Sequence, residues 1–243
     1  MKIQETPNPH AKLDIKKMAM SCDDAGHDVP FPLQKGNFFY IVCGQPSSGK
    51  TNLWLNFVKK KKCFYYKQFH KIYIFSSSLH TVKEKISLPS NQIIHGFDIE
   101  RLDEIISEEQ QAADEEDGNK ILIVFDDIVA QITRNIQPML KLMYNRRHIG
   151  GGISILLTTQ KYTKIPLELR TVATGVFFFA TKNKTEIETL FDEFGNMKKI
   201  NFYKLLEYVF DKSHNFLFLN LLEPVERMYY KNFNHLSIDD AFN

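Results

Sequence analysis

Short apolar runs alternate along this chain with stretches whose apolar residues recur at helical spacing. Phe38–Cys43, Lys71–Phe75, Ile121–Phe125, Ile153–Thr158 and Gly175–Ala180 read as strands. Ile121–Phe125 is apolar throughout, as expected of a central parallel strand covered on both faces. Residues 92–97 read as a short edge strand. Between the runs, Leu53, Trp54, Phe57 and Val58 share one helical face. Ile99, Leu102, Ile105 and Ile106 form the apolar face of a strongly acidic helix over Asp98 to about Asp117, whose acidic residues mark a solvated face and which Gly118-Asn119 closes. Ile136, Met139, Leu140 and Met143 follow the i, i+3, i+4, i+7 rule and predict a helix over roughly 135–147. The triplet Gly150-Gly151-Gly152 separates it from the next strand. Ile187, Leu190, Phe191 and Phe194 mark another helix, and Phe202, Leu205, Leu206, Val209 and Phe210 a further one. Phe216–Leu222 and Arg227–Tyr230 read as a closing pair of strands. Strands alternating with helices predict an α/β fold, a mainly parallel central sheet flanked by helices. Ligands of such sheets sit at the carboxyl ends of the strands.

One of those strand ends carries a complete motif. Gly44-Gln45-Pro46-Ser47-Ser48-Gly49-Lys50-Thr51 fits G-x-x-x-x-G-K-[ST], the phosphate-binding loop, between a strand and a helix as that motif requires. Glycines at 44 and 49 permit turns that a side chain would obstruct. Consecutive backbone N–H groups and a helix N-terminus then surround an anion. In this pattern Lys50 reaches the β- and γ-phosphates of ATP and the Thr51 hydroxyl holds Mg²⁺.

Two further strand ends complete a site. Asp126 closes the apolar strand Ile121–Phe125, the position of a Walker B carboxylate that holds Mg²⁺ beside Thr51. Asp127 follows it and is placed to orient or deprotonate the attacking water. Gln160 ends the strand after that, where an amide can sense the γ-phosphate or position water; a turn cap is the alternative reading. Arg146, Arg147 and Arg170 flank this region and are candidates for an arginine finger acting between subunits, with Arg147 first and Arg170 second.

Composition adjusts this picture only slightly. The 243 residues are 43% hydrophobic and 25% charged, enough to bury one full core. Aromatic content of 13%, with 20 Phe and 10 Tyr, predicts a Phe-rich core. A formal net charge of +2 argues for no partner by itself, so any nucleic-acid surface must be local. Lys59-Lys60-Lys61-Lys62, with Lys67, His70 and Lys71 close behind, is the expected basic patch; a solvated helix end is the competing reading. The cysteines Cys22, Cys43 and Cys63 have neither metal spacing nor an even number, which suits a reducing compartment. There is no signal peptide and no apolar run of membrane-spanning length.

Taken together, Gly44–Thr51, Ile121–Ile128 (ILIVFDDI), Asn145–Gln160 (NRRHIGGGISILLTTQ) and Arg170–Phe179 (RTVATGVFFF) resemble the poxvirus-type genome-packaging ATPases of the FtsK/HerA superfamily, found in large DNA viruses and virophages. The resemblance covers about residues 36–195. It implies a RecA-like core and a homo-oligomeric ring driving double-stranded DNA into a capsid through a capsid or portal component. A host cytoplasmic, viral-factory or virion setting goes with it. It also implies that Lys50 and Thr51 act on phosphate and Mg²⁺, Asp126 on the metal, Asp127 as the acid of hydrolysis and Gln160 as the sensor. The superfamily often has Glu where this chain has Asp127. The expected organisation is an N-terminal arm over 1–35, holding four prolines, a RecA-like ATPase domain over 36–230 and a tail over 231–243. A small-molecule kinase and a nucleotide-gated assembly protein are the alternatives; the chain shows no Arg-rich lid insert of the kinase kind.

Overall fold

The computed structural model describes residues 3–6, 29–58, 64–65, 67–79, 86, 88–115 and 119–238. In chain order its elements are β1 (Ile3–Thr6), β2 (Phe39–Cys43), α1 (Lys50–Val58), β3 (Lys71–Ser76), β4 (Ile93–His95), α2 (Ile99–Glu115), β5 (Ile121–Asp126), α3 (Val129–Arg134), α4 (Ile136–Asn145), β6 (Ile153–Thr159), α5 (Leu167–Arg170), β7 (Gly175–Phe179), α6 (Lys184–Phe194), α7 (Lys199–Val209), β8 (Phe216–Asn220), β9 (Tyr229–Lys231) and β10 (Asn234–Ile238). The ten strands form one sheet in the order β1-β10-β9-β8-β7-β2-β6-β5-β3-β4. From β7 to β4 every pairing is parallel. From β7 to β1 every pairing is antiparallel. The expected α/β class is what the structure has, with the phosphate-loop strand β2 inside the parallel part, between β7 and β6.

Because side chains alternate across a strand, each central strand feeds two cores. Phe39, Ile41, Ile123, Phe125, Ile155, Leu157 and Phe178 face α2–α7. Phe38, Tyr40, Val42, Leu122, Val124, Leu156 and Phe177 face α1. The α1 side is the Phe-rich layer: Phe38 stacks on Tyr40 at 4.2 Å and Phe177 on Phe218 at 4.3 Å, with Phe57 of α1 edge-on to Phe38, Tyr40 and Phe177. Continuous burial of β2, β5, β6 and β7 explains why they read as unbroken apolar runs.

The helix predicted over roughly 135–147 is present as α4, and a short α3 that the spacing did not predict precedes it, the two separated at Asn135 (φ −131°, ψ 51°). Pro138 has no N–H for a bond back to Arg134, so a continuous helix through both is not available. Two other expectations need correction. The sheet does not stop at residue 230: β10 pairs with β9 and then with β1, so residues 234–238, expected in a tail, are part of it. Nor is the acidic face of α2 wholly solvated. Glu109 is fully buried and takes the Lys71 ammonium at 2.7 Å. That pair also occupies one lysine of the expected basic patch. Lys59–Lys62 and residues 7–28 lie outside the described residues.

Candidate functional site

Gly44, Asp127 and Gln160 each follow a parallel strand, and the order β2-β6-β5 sets those ends side by side. Gly44 N–H donates to the Thr159 carbonyl at 3.1 Å, tying the start of the loop to the end of β6. The loop then turns through left-handed backbone at Ser47 (φ 63°) and Gly49 (φ 112°) before α1 begins. Gly44 is required by proximity: a Cβ there would lie 2.5 Å from Ser48 Oγ and 2.8 Å from Phe179 Cβ. Lys50 is buried and folds over the loop, its Nζ donating to the Gly44 carbonyl at 2.7 Å and the Gln45 carbonyl at 3.1 Å. Burial lowers its pKa, and the nearby Asp127 carboxylate opposes that shift most strongly. A cation held among loop carbonyls, amides and a helix start is suited to a polyphosphate. Cys43, just before the loop, is buried and its thiol is pushed up by burial, so it stays protonated and packs as an apolar side chain.

The two aspartates are held by different means. Asp126 is buried and accepts from Thr158 Oγ1 at 2.9 Å and from Ser76 Oγ at 3.0 Å. Its carboxylate is therefore fixed from β6 on one side and β3 on the other. Asp127 is exposed and adopts left-handed backbone (φ 56°), a conformation a non-glycine residue seldom takes. Its N–H donates to the same Thr158 Oγ1 at 3.0 Å. Its Oδ2 accepts from Gln160 Nε2 at 2.6 Å. Thr158 and Gln160 are two residues apart and project to the same side, so one strand end holds both carboxylates in place. Gln160 is thus engaged with Asp127 rather than capping a turn.

The loop after Gln160 has its own anchor. Glu186, buried in the first turn of α6, accepts from Tyr162 N–H at 2.6 Å and Thr163 Oγ1 at 2.5 Å. On the other flank His214 Nδ1 lies 3.1 Å from the Ser48 carbonyl. Neither residue was expected from sequence, and neither stands in a recognisable local pattern. Thr158 and Ser76 did carry a signal, as hydroxyls ending otherwise apolar strands.

The arginines are not brought to the loop of their own chain. Arg146 is buried and spends its guanidinium on the Met143 and Asn37 carbonyls at 2.5 and 3.3 Å. Arg170 pairs with Glu193 and lies 5.1 Å over the Tyr162 ring, so it is engaged inside its own subunit rather than free to reach another. Arg147 is exposed, but it precedes β6 while the phosphate loop lies at the other end, a strand length of roughly 20 Å away.

A family model described as "Poxvirus A32 protein" matches residues 31–215. Among solved structures, B204, the DNA-packaging ATPase from Sulfolobus Turreted Icosahedral Virus, matches with a TM-score of 0.51 and 16% identity, covering 84% of this chain and 100% of that one. The genome packaging NTPase B204 from Sulfolobus turreted icosahedral virus 2, in complex with ATP-gammaS, matches with a TM-score of 0.55 and 12% identity, covering 85% and 98%. At such identities the likeness is one of fold. No curated protein sequence matches the chain.

Proposed function

The chain belongs to the poxvirus A32 protein family, and from that premise we propose that it is an ATP-hydrolysing motor that moves double-stranded viral DNA into a capsid. It is a P-loop ATPase of RecA-like fold. The family membership sets aside the small-molecule kinase reading. The observation that most supports the motor is the meeting of three strand ends, with Gln160 hydrogen-bonded to Asp127 at 2.6 Å directly beside the phosphate loop.

In this reading Lys50 and the amides of Gln45–Thr51 hold the β- and γ-phosphates of ATP. Thr51 and Asp126 offer a hydroxyl and a carboxylate, hard oxygen donors that suit Mg²⁺, and Ser76 and Thr158 orient the carboxylate. The ion, when bound, supplies neutralisation of phosphate charge. Asp127 accepts the proton of the attacking water or orients it, and Gln160 reports the occupancy of the γ-phosphate position through its bond to Asp127. Arg147 acts in trans, on the nucleotide of a neighbouring subunit in a homo-oligomeric ring. The ring works in the host cytoplasm or a viral factory, against a capsid or portal component. The ATPase domain extends from about residue 36, and of the expected arm over 1–35, Val29 and Leu33 pack into the α1-side core while β1 forms the edge strand of the sheet.

ATP hydrolysis measured with and without random-sequence duplex DNA tests the proposal. Stimulation by duplex that is abolished by Lys50→Ala is the expected result. An ATPase indifferent to DNA at low salt, in an oligomer shown to be intact, would overturn the motor and favour a nucleotide-gated assembly protein.

A further inference from the structure

A concentration of positive charge without ion pairs stands at the nucleotide end of the sheet, apart from the expected lysine run. Lys161 and Lys164 lie in the loop after β6; Lys182 and Lys184 lie at the end of the loop after β7 and the start of α6. All four are exposed, and none is in an ion pair among the described residues. β6 and β7 flank β2 on its two sides, so these loops rise on either side of the phosphate loop. The loops are also joined to each other and to the site. Glu186 of the second loop's helix accepts from Tyr162 and Thr163 of the first. Gln45 of the phosphate loop donates to Thr181 at 3.3 Å. Three carboxylates near them in the fold or the sequence are committed elsewhere: Glu186 is buried on those donors, Asp127 accepts from Gln160, and Glu188 is held by Lys199 and Tyr203. Four cations on two interlocked loops are left facing solvent at the nucleotide end of the sheet.

We propose that Lys161, Lys164, Lys182 and Lys184 form the surface that grips the phosphate backbone of duplex DNA, and that the grip acts on hydrolysis through the Gln160–Asp127 hydrogen bond. This rests on the DNA-motor reading above and names its contact surface. Spaced ammonium groups on loops match phosphates spaced along a duplex and read no bases. Lys161 adjoins Gln160, so a backbone displacement at the lysine moves the amide that holds Asp127. Of the expected patch, His70 and Lys71 stand at the other end of β3 and are engaged there: Lys71 is held by Glu109, and His70 Nδ1 accepts the Lys120 N–H at 3.0 Å.

Binding of the full-length protein to a random-sequence duplex, measured across a range of salt concentrations, tests this. Each lost phosphate contact lowers the slope of log affinity against log salt by about 0.9. Single Lys→Gln variants at the four positions should each reduce the slope by about that amount, and the fourfold variant by about 3–4. DNA stimulation of turnover should fall in step. A fourfold variant with the original slope, or a loss of slope in a Lys59–Lys62 variant instead, overturns the assignment. A raised KM for ATP with an unaltered slope overturns it too, placing these lysines on the nucleotide. If the unaltered protein does not bind duplex at low salt, the motor reading falls along with the surface.

Discussion

Replacing Thr158 by Val tests how the two aspartates are held. Val matches Thr in shape, so the buried packing at this fully covered position is kept. What disappears is one hydroxyl with two jobs: it donates to Asp126 Oδ1 at 2.9 Å and accepts the Asp127 N–H at 3.0 Å. A hydrogen bond to a charged group contributes about 1.5–3 kcal/mol and a neutral one about 0.5–1.5. Their joint loss should destabilise the fold by about 2–4 kcal/mol. Thr158→Ser keeps both bonds and deletes one methyl group, at about 1 kcal/mol. Equilibrium denaturation at fixed protein concentration reads the difference. The site should respond as well. Asp127 sits in left-handed backbone, and without its anchor the carboxylate shifts; misplacement of reacting groups by about 1 Å can cost about 10²-fold. Turnover should therefore fall by about 10–100-fold while ATP affinity changes far less. If Thr158→Val unfolds like the wild type and hydrolyses ATP at the same rate, the bridging hydroxyl has no role and the argument fails.

Lys50→Ala should abolish nucleotide binding, hydrolysis or both with the fold intact, as measured by ATP binding and circular dichroism. Asp127→Asn should bind ATP yet turn over about 10²–10⁴-fold more slowly; equal loss of binding would place this residue on the metal instead. Gly44→Ala puts a methyl group into contact with Ser48 Oγ and Phe179 Cβ, and overpacking of that kind costs about 1–3 kcal/mol, visible as a lower denaturation midpoint and weaker nucleotide binding. Arg147→Ala and Lys50→Ala subunits should each be inactive alone and regain partial ATPase activity when co-assembled; no rescue at any ratio would remove Arg147 from the trans position.

The central strands could be read from the chain because burial on both faces writes a continuous apolar run. β10 could not, since Asn234–Ile238 lies near the sheet margin and has only Leu236 fully buried. β1 contributes Ile3-Gln4-Glu5-Thr6, whose strand state depends on a partner more than 200 residues away. α4 is legible in its apolar spacing, whereas α3, six residues long with only Val129 and Ile132 buried, is too short to write a periodic pattern. Glu109 looked like one acid among many on α2; only the approach of Lys71 from β3 gives it a reason to be inside. Within the site, residues with a motif position were found, whereas the groups that hold them were not. Ser76 and Thr158 matter because strand order places β3 and β6 on either side of β5, and register aligns Ser76 with Asp126.

That strand order also bears on how a motor of this kind can transmit force. β6 lies between the phosphate-loop strand and the Walker B strand, so it meets the nucleotide from the side where the γ-phosphate must lie. It pairs with β2 over Ile155–Thr159 and with β5 over Ile153–Leu157, and it carries no exposed residue from Ile153 to Thr159. An element packed this tightly moves as a unit or not at all. Motion at its carboxyl end therefore has one place to go, the segment Gln160–Lys164, where Glu186 limits the range. On the proposed assignment, that segment begins with the amide holding Asp127 and continues into two of the lysines that grip DNA. A gain or loss of the γ-phosphate, felt at Gln160, then reaches the duplex through a handful of backbone bonds, with no rearrangement of the sheet.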